Sequence, residues 1–186
     1  MPLIKLFMKE ISLNELRERA AKIKWFFCDI DGTLTDGCVY YSPEGELLKK
    51  FSLRDGTGFF LLKQAGIKTG FITTENSPIV EQRAKKLKID KYIFGTHKKL
   101  EAMKEFVKQE GLSLENIAFI GDELNDVKLL KSCGLGVAVN DADKRARGSS
   151  CIVCDKNGGQ GAFREAVERL LVLKGFNIDK IIADSL

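Results

Sequence analysis

The sequence predicts an α/β fold: a doubly wound, mostly parallel sheet with helices on both faces and one small projecting β-hairpin. Three observations lead to it. Short apolar runs alternate with segments of helical period along most of the chain, the order that βαβ units require. The first apolar run is continuous instead of alternating, as in a strand covered on both faces. It stops abruptly at acidic residues, and a parallel sheet gathers its reactive groups outside the carboxyl ends of its strands.

Ser12-Leu13-Asn14-Glu15 has a capping-box pattern, with Leu13, Leu16, Ala20 and Ile23 at helical spacing behind it, so a helix is expected over 12–24. The period then changes. Trp25-Phe26-Phe27-Cys28 reads as a buried strand ending in Asp29-Ile30-Asp31-Gly32. Val39-Tyr40-Tyr41 and the segment 46–51 flank Ser42-Pro43-Glu44-Gly45, a turn composition that predicts a hairpin. Next come a helix over 57–65, a strand over 68–72, a helix over 78–87 opened by Ser77-Pro78, and a short strand over 92–94. A helix over 98–109, a strand over 117–120, a helix over 124–131, strands over 136–139 and 151–153, and a helix over 161–173 complete the pattern. Residues 174–186, with Phe176 and Ile178 among polar neighbours, are either a frayed tail or a segment docked on a neighbouring subunit.

With 186 residues the whole chain is expected to be a single domain, its core at about 25–173. Thirty basic residues exceed the 26 acidic ones by a net +4 without forming a block. This describes a solvated surface and argues against nucleic acid as a partner, while a mild positive field suits an anionic substrate. Five cysteines are an odd count; Cys28, Cys38 and Cys133 sit beside apolar residues as small hydrophobes, and a reducing cytoplasm fits them. Cys151-Ile152-Val153-Cys154 matches CxxC, but no second pair follows and His97 is the only histidine, so a buried strand is expected in place of a zinc site. Met1 to Glu10, interrupted by Lys5 and Lys9, is too short and too charged for a signal peptide or a membrane span.

The strand ends bring chemistry to one edge. The first delivers Asp29 and Asp31; the strand 68–72 delivers Thr73, Thr74 and Glu75; the helix 98–109 begins with Lys98 and Lys99; the strand 117–120 delivers Gly121-Asp122-Glu123-Leu124-Asn125-Asp126. Close carboxylates repel one another unless they share a cation, and an oxygen-rich set without histidine favours magnesium. Metal, carboxylate nucleophile, hydroxyl and lysine together form a site for phosphoryl transfer.

Asp29-Ile30-Asp31-Gly32-Thr33 resembles the DxDGT motif that opens the haloacid dehalogenase superfamily of phosphatases, and Asp122-Glu123-Leu124-Asn125-Asp126 resembles its fourth motif. The resemblance implies that Asp29 is the nucleophile, Asp31 the acid/base, and that Thr73 and Lys99 hold the phosphate, with Lys98 a nearby contender. It also implies that Asp29, Asp122 and, through its backbone carbonyl, Asp31 bind Mg2+. Between Asp29 and Thr73 only one hairpin and one helix fit, so no cap domain is expected. Phe51-Ser52-Leu53-Arg54-Asp55-Gly56-Thr57-Gly58 and the segment from Lys156 to Glu165 are similar to the capless 3-deoxy-D-manno-octulosonate 8-phosphate phosphatases. That family implies a cytoplasmic homotetramer acting on a sugar acid phosphate for cell-surface lipopolysaccharide, with neighbouring subunits closing each site.

Two features depart from the family. Thr73-Thr74-Glu75 stands where Thr-Gly-Arg is usual, and Glu75 with Lys86 resembles the 2-keto-3-deoxynonulosonate 9-phosphate phosphatases, whereas Arg54-Asp55-Gly56 follows the eight-carbon pattern. Arg54, Glu75, Lys86 and Gly159 are therefore the expected substrate-binding residues, with a nine-carbon ester as the alternative. Glu123 in place of Asp predicts an adjustment behind the metal without its loss. Two other classes compete: a non-catalytic oligomerisation or regulatory domain, which has no need of the acidic set, and a phospho-accepting receiver domain, which has no second carboxylate in a DxDGT turn.

Overall fold

A computed structural model describes residues 11–184; the expectation for Met1 to Glu10 falls outside them. Helix α1 (Leu13–Lys22) leads into β1 (Trp25–Cys28), followed by β2 (Thr35–Ser42), β3 (Gly45–Phe51), α2 (Leu53–Gln64), β4 (Lys68–Ile72), α3 (Pro78–Leu87) and β5 (Lys91–Ile93). The second half runs α4 (Lys99–Gln109), β6 (Ile117–Gly121), α5 (Val127–Ser132), β7 (Leu135–Ala138), α6 (Lys144–Arg147), β8 (Ile152–Val153), α7 (Ala162–Leu173) and α8 (Ile178–Ala183). Six strands form one sheet in the order β5-β4-β1-β6-β7-β8, and β2 with β3 forms a separate antiparallel hairpin. All pairings in the large sheet are parallel.

The continuous apolar run explains why β1 takes the central place. Successive side chains of a strand point to opposite faces, so Trp25 and Phe27 pack together against Phe106 of α4, with ring centroids 4.9 and 5.0 Å away. Phe26 points the other way, 5.3 Å from Phe163 of α7, which stacks at 4.1 Å on Phe59 of α2. One strand thus binds both helical layers. Its parallel neighbours end level with it, Cys28 lying opposite Phe71 on one side and Ile120 on the other.

Several boundaries differ from the sequence expectation for physical reasons. Helix α2 starts at Leu53, four residues early, because Ser52 caps it through the Arg54 N–H, and Asp55 in its first turn accepts the Arg164 N–H of α7 at 3.0 Å. Helix α5 starts at Val127, three residues late, because the preceding residues form a turn closed by the Asp126 side chain. The hairpin begins at Thr35, directly after the first motif. Helices α6 and α8 were not expected; α8 forms because Ile178, Ile181 and Ile182 pack against the core. Cys28, Cys133 and Cys154 are buried, whereas Cys38 is exposed on the hairpin, so its apolar neighbours do not enclose it. Among the described residues no helix is long and apolar enough to cross a membrane.

Candidate active site

The acidic edge forms where β1, β4 and β6 end. Asp29 follows β1 and is held there by its N–H to the Ile120 carbonyl at 3.0 Å. Its side chain is nearly buried and accepts a hydrogen bond from Lys99 Nζ at 2.5 Å. Lys99, the first residue of α4, is itself buried and reaches Asp126 Oδ1 at 2.6 Å. Asp126 uses its other oxygen to accept the N–H groups of Asp122 and Glu123 at 3.0 and 3.2 Å. The turn after β6 is therefore folded around one carboxylate, whose two oxygens are both committed.

Asp122 accepts the Thr33 hydroxyl at 2.9 Å. Gly32, with φ +87°, lies so close that a Cβ there would overlap the Asp122 carboxylate. Both the left-handed backbone and the approach demand glycine at this point of the motif. Asp31 is held from the hairpin, its Oδ1 accepting from Lys49 Nζ at 2.6 Å. Thr73 is buried at the end of β4, and its Oγ1 accepts the Glu75 N–H at 3.2 Å, which leaves its proton free to donate. Asp29, Asp31, Thr73, Glu75, Asp122, Glu123 and Lys49 line one cavity of about 450 Å³.

Carboxylate oxygens of Asp29, Asp122 and Asp126 lie within 4.8 Å of one another. Burial raises the Asp29 carboxyl; Lys99 pulls it down, Asp126 pushes it back up, and it settles at about 6. Burial, with Asp29 and Asp126 alongside, raises Asp122 to about 8. Burial opposes the charge on Lys99, yet the two facing carboxylates hold its ammonium above the ordinary lysine range. One lysine against three crowded acids leaves a deficit of positive charge, which fits a hard divalent cation. Asp126 is already fully engaged, so Asp29 and Asp122 are the carboxylates available to hold it.

A pH-dependent stability follows. Both carboxyls sit above their ordinary unfolded value of about 4, so the native state binds the extra protons between about pH 4 and 8, and metal-free stability falls as pH rises through that window. Magnesium should raise the melting temperature by several degrees at pH 8 and by much less at pH 5. Thermal scans with and without magnesium measure this; equal shifts at the two pH values would contradict it.

The structure brings together Asp29, Asp31, Thr73, Lys99, Asp122 and Glu75, and it separates others. Lys98 is exposed at the N-terminus of α4, so the buried amine is that of Lys99. The third carboxylate of the cluster is that of Asp126, while Asp31, expected at the metal through its backbone carbonyl alone, turns its side chain to Lys49. Arg54 and Lys86 are exposed on α2 and α3 and do not line the cavity. Gly159 does not line it either: its N–H donates to the Thr33 carbonyl at 3.0 Å, and it presses against the Thr35–Asp36 backbone from behind. Glu123 turns its carboxylate onto the next backbone N–H, that of Leu124, at 2.7 Å. Asp126 and Lys49 join the site unexpectedly; the first is visible in the sequence as a second acid four positions after Asp122, the second only through strand register.

Comparison with known proteins agrees with this geometry. A family model for haloacid dehalogenase-like hydrolases matches residues 93–165. The 3-deoxy-D-manno-octulosonate 8-phosphate phosphatase KdsC of Haemophilus influenzae is 34% identical over 160 residues, 86% of this chain and 89% of that protein. Its counterpart from Yersinia pestis is 35% identical over 159 residues, 86% of this chain and 85% of that protein. The crystal structure of the Moraxella catarrhalis phosphatase, in complex with magnesium, phosphate and KDO, superposes with a TM-score of 0.88 at 38% identity, covering 94% of this chain and 100% of that one. Six parallel strands with a lone hairpin, the acid-rich edge and identity of this extent over nearly the full length lead to one conclusion: this chain belongs to the 3-deoxy-D-manno-octulosonate 8-phosphate phosphatase family of haloacid dehalogenase-like hydrolases, and is a phosphomonoesterase.

Proposed function

We propose that the chain, acting as one domain, hydrolyses 3-deoxy-D-manno-octulosonate 8-phosphate to the free sugar acid and phosphate, with Asp29 as nucleophile. The observation that carries this reading is the placement of Asp29. It stands at the end of the central strand, on the cavity wall, with Lys99 fixing one carboxylate oxygen at 2.5 Å and Asp31 two residues on.

A carboxylate oxygen of Asp29 forms a bond to phosphorus as the bond to the sugar oxygen breaks, and Asp31 gives its proton to the departing oxygen. The resulting aspartyl phosphate is attacked at phosphorus by water, whose proton passes to Asp31, and phosphate leaves as the Asp29 carboxylate is restored. The Thr73 hydroxyl on the cavity wall and the Lys99 ammonium behind Asp29 would stabilise the charge on the phosphoryl oxygens. Asp29, Asp122 and the Asp31 backbone carbonyl would hold magnesium, which would supply the remaining positive charge.

Exposed Tyr40, Tyr41, Leu47 and Leu48 on the hairpin support assembly into a homotetramer, in which the hairpin and C-terminal segment of neighbouring subunits would close each site. All five cysteines are free thiols, which fits the cytoplasm. Glu75 on the cavity wall keeps the nine-carbon 9-phosphate as a second reading. Magnesium-dependent phosphate release from the two esters, measured in parallel with Asp29→Asn as the blank, decides between them. A higher kcat/KM for the eight-carbon ester is expected; preference for the nine-carbon ester would transfer the assignment to the second reading, and turnover of neither would overturn both.

A further inference from the structure

The hairpin brings a buried ammonium to the acidic edge. Lys49, on β3, keeps only 2% of its side chain exposed, and its ammonium lies 2.6 Å from Asp31 Oδ1 and 3.8 Å from Glu46 Oε2. Glu46 in turn accepts the Ser77 hydroxyl at 2.9 Å, and Ser77 is the residue that caps α3. A polar chain thus runs from the connection after β4, through the hairpin, to the loop that carries the nucleophile. The adjacent Lys50 points away, to Asp36, and is exposed.

We propose that Lys49 is a positioning residue for Asp31: it fixes Oδ1, so that Oδ2 is the oxygen that delivers the proton to the departing sugar oxygen. A lone carboxyl rotates about its last torsion and spreads its two oxygens over many directions. A charge-assisted bond to one oxygen, from an ammonium that is itself buried and braced by Glu46, sets the direction of the other. The inference rests on the reading of Asp31 as acid/base given above.

The balance of the first step supplies the test. Phosphorus gains a bond to Asp29 and loses its bond to the leaving oxygen, which takes the Asp31 proton and departs as an alcohol. An alkoxide leaves poorly without that proton, whereas 4-nitrophenolate leaves well without it. Because kcat/KM covers events up to departure of the alcohol, the ratio of kcat/KM for an alkyl phosphate to that for 4-nitrophenyl phosphate isolates proton delivery.

In the magnesium-loaded enzyme, Lys49→Met should lower this ratio by about tenfold or more, and Lys49→Arg should recover much of it. Asp31→Asn should lower the ratio further, and adding Lys49→Met to Asp31→Asn should not lower it again. Glu46→Gln, which leaves Lys49 in place without one of its carboxylate neighbours, should shift the ratio less and in the same direction. Equal losses for both esters in Lys49→Met would make Lys49 a phosphate-binding charge and overturn the inference while the role of Asp31 stood. An unchanged ratio in Asp31→Asn would remove the acid assignment itself.

Discussion

Asp29→Asn is expected to lower turnover by about 10⁴-fold or more while leaving the metal-free protein as stable as the parent or more so. The amide is no nucleophile, yet its oxygen can still accept the Lys99 hydrogen bond, and Lys99 keeps its second partner, Asp126, at 2.6 Å. Stability does not suffer because the substitution removes one negative charge from a cluster that already raises Asp122 to about 8. Phosphate release and a thermal melt on the same preparation check both halves. Near-parental activity would place the nucleophile elsewhere, and a large loss of stability would show that the Asp29 charge is needed to hold Lys99 in place.

Lys99→Met should have the second largest effect, on activity and stability together. The substitution removes the cation from between Asp29 and Asp126 and leaves three carboxylates facing each other with nothing to offset them. Breaking a buried charge network from one side costs about 3–5 kcal/mol, and losing a positive group at the phosphoryl oxygens costs roughly 10²–10³ in rate. Denaturant titration of the metal-free protein and steady-state assays with magnesium separate the two effects. The exposed neighbour is the control: Lys98→Met should leave both nearly unchanged, and comparable losses there would mean that the two lysines exchange roles.

The strand ends were the most legible part of the chain, because each apolar run stops where polar chemistry begins. Trp25 to Cys28 is buried throughout, and Asp29 follows it at once; the same logic placed Thr73 after β4 and Asp122 after β6. Residues whose role depends on which face of an irregular element they occupy were not legible. Lys49 and Lys50 are adjacent lysines of one strand, and only the hairpin's orientation over the nucleophile loop sends the first inward to Asp31 and the second outward to Asp36. Asp126 falls inside the helix expected over 124–131; in the structure it closes a turn with one oxygen and binds Lys99 with the other. Arg54 and Lys86 carry the chemistry of substrate contacts, and α2 and α3 present them to solvent outside this subunit's own cavity. Gly159, expected at the substrate, makes its close approach to the protein's own backbone.

That backbone contact also orders events in time. Gly159 donates its N–H to the Thr33 carbonyl, Gly158 donates to Asp141, and a side chain at Gly158 would overlap the Gly32 carbonyl oxygen. The DxDGT loop is thus buttressed by a segment far along the sequence, beyond β8. On the ribosome β1 emerges well before this segment, so the loop bearing Asp29 and Asp31 lacks its rear support until Gly158 and Gly159 have cleared the exit tunnel. Such long-range closure comes late in folding because its loop entropy must be overcome first. A nascent chain can therefore build its sheet while its catalytic loop is still incomplete, and competence for phosphoryl transfer waits for the segment that follows β8.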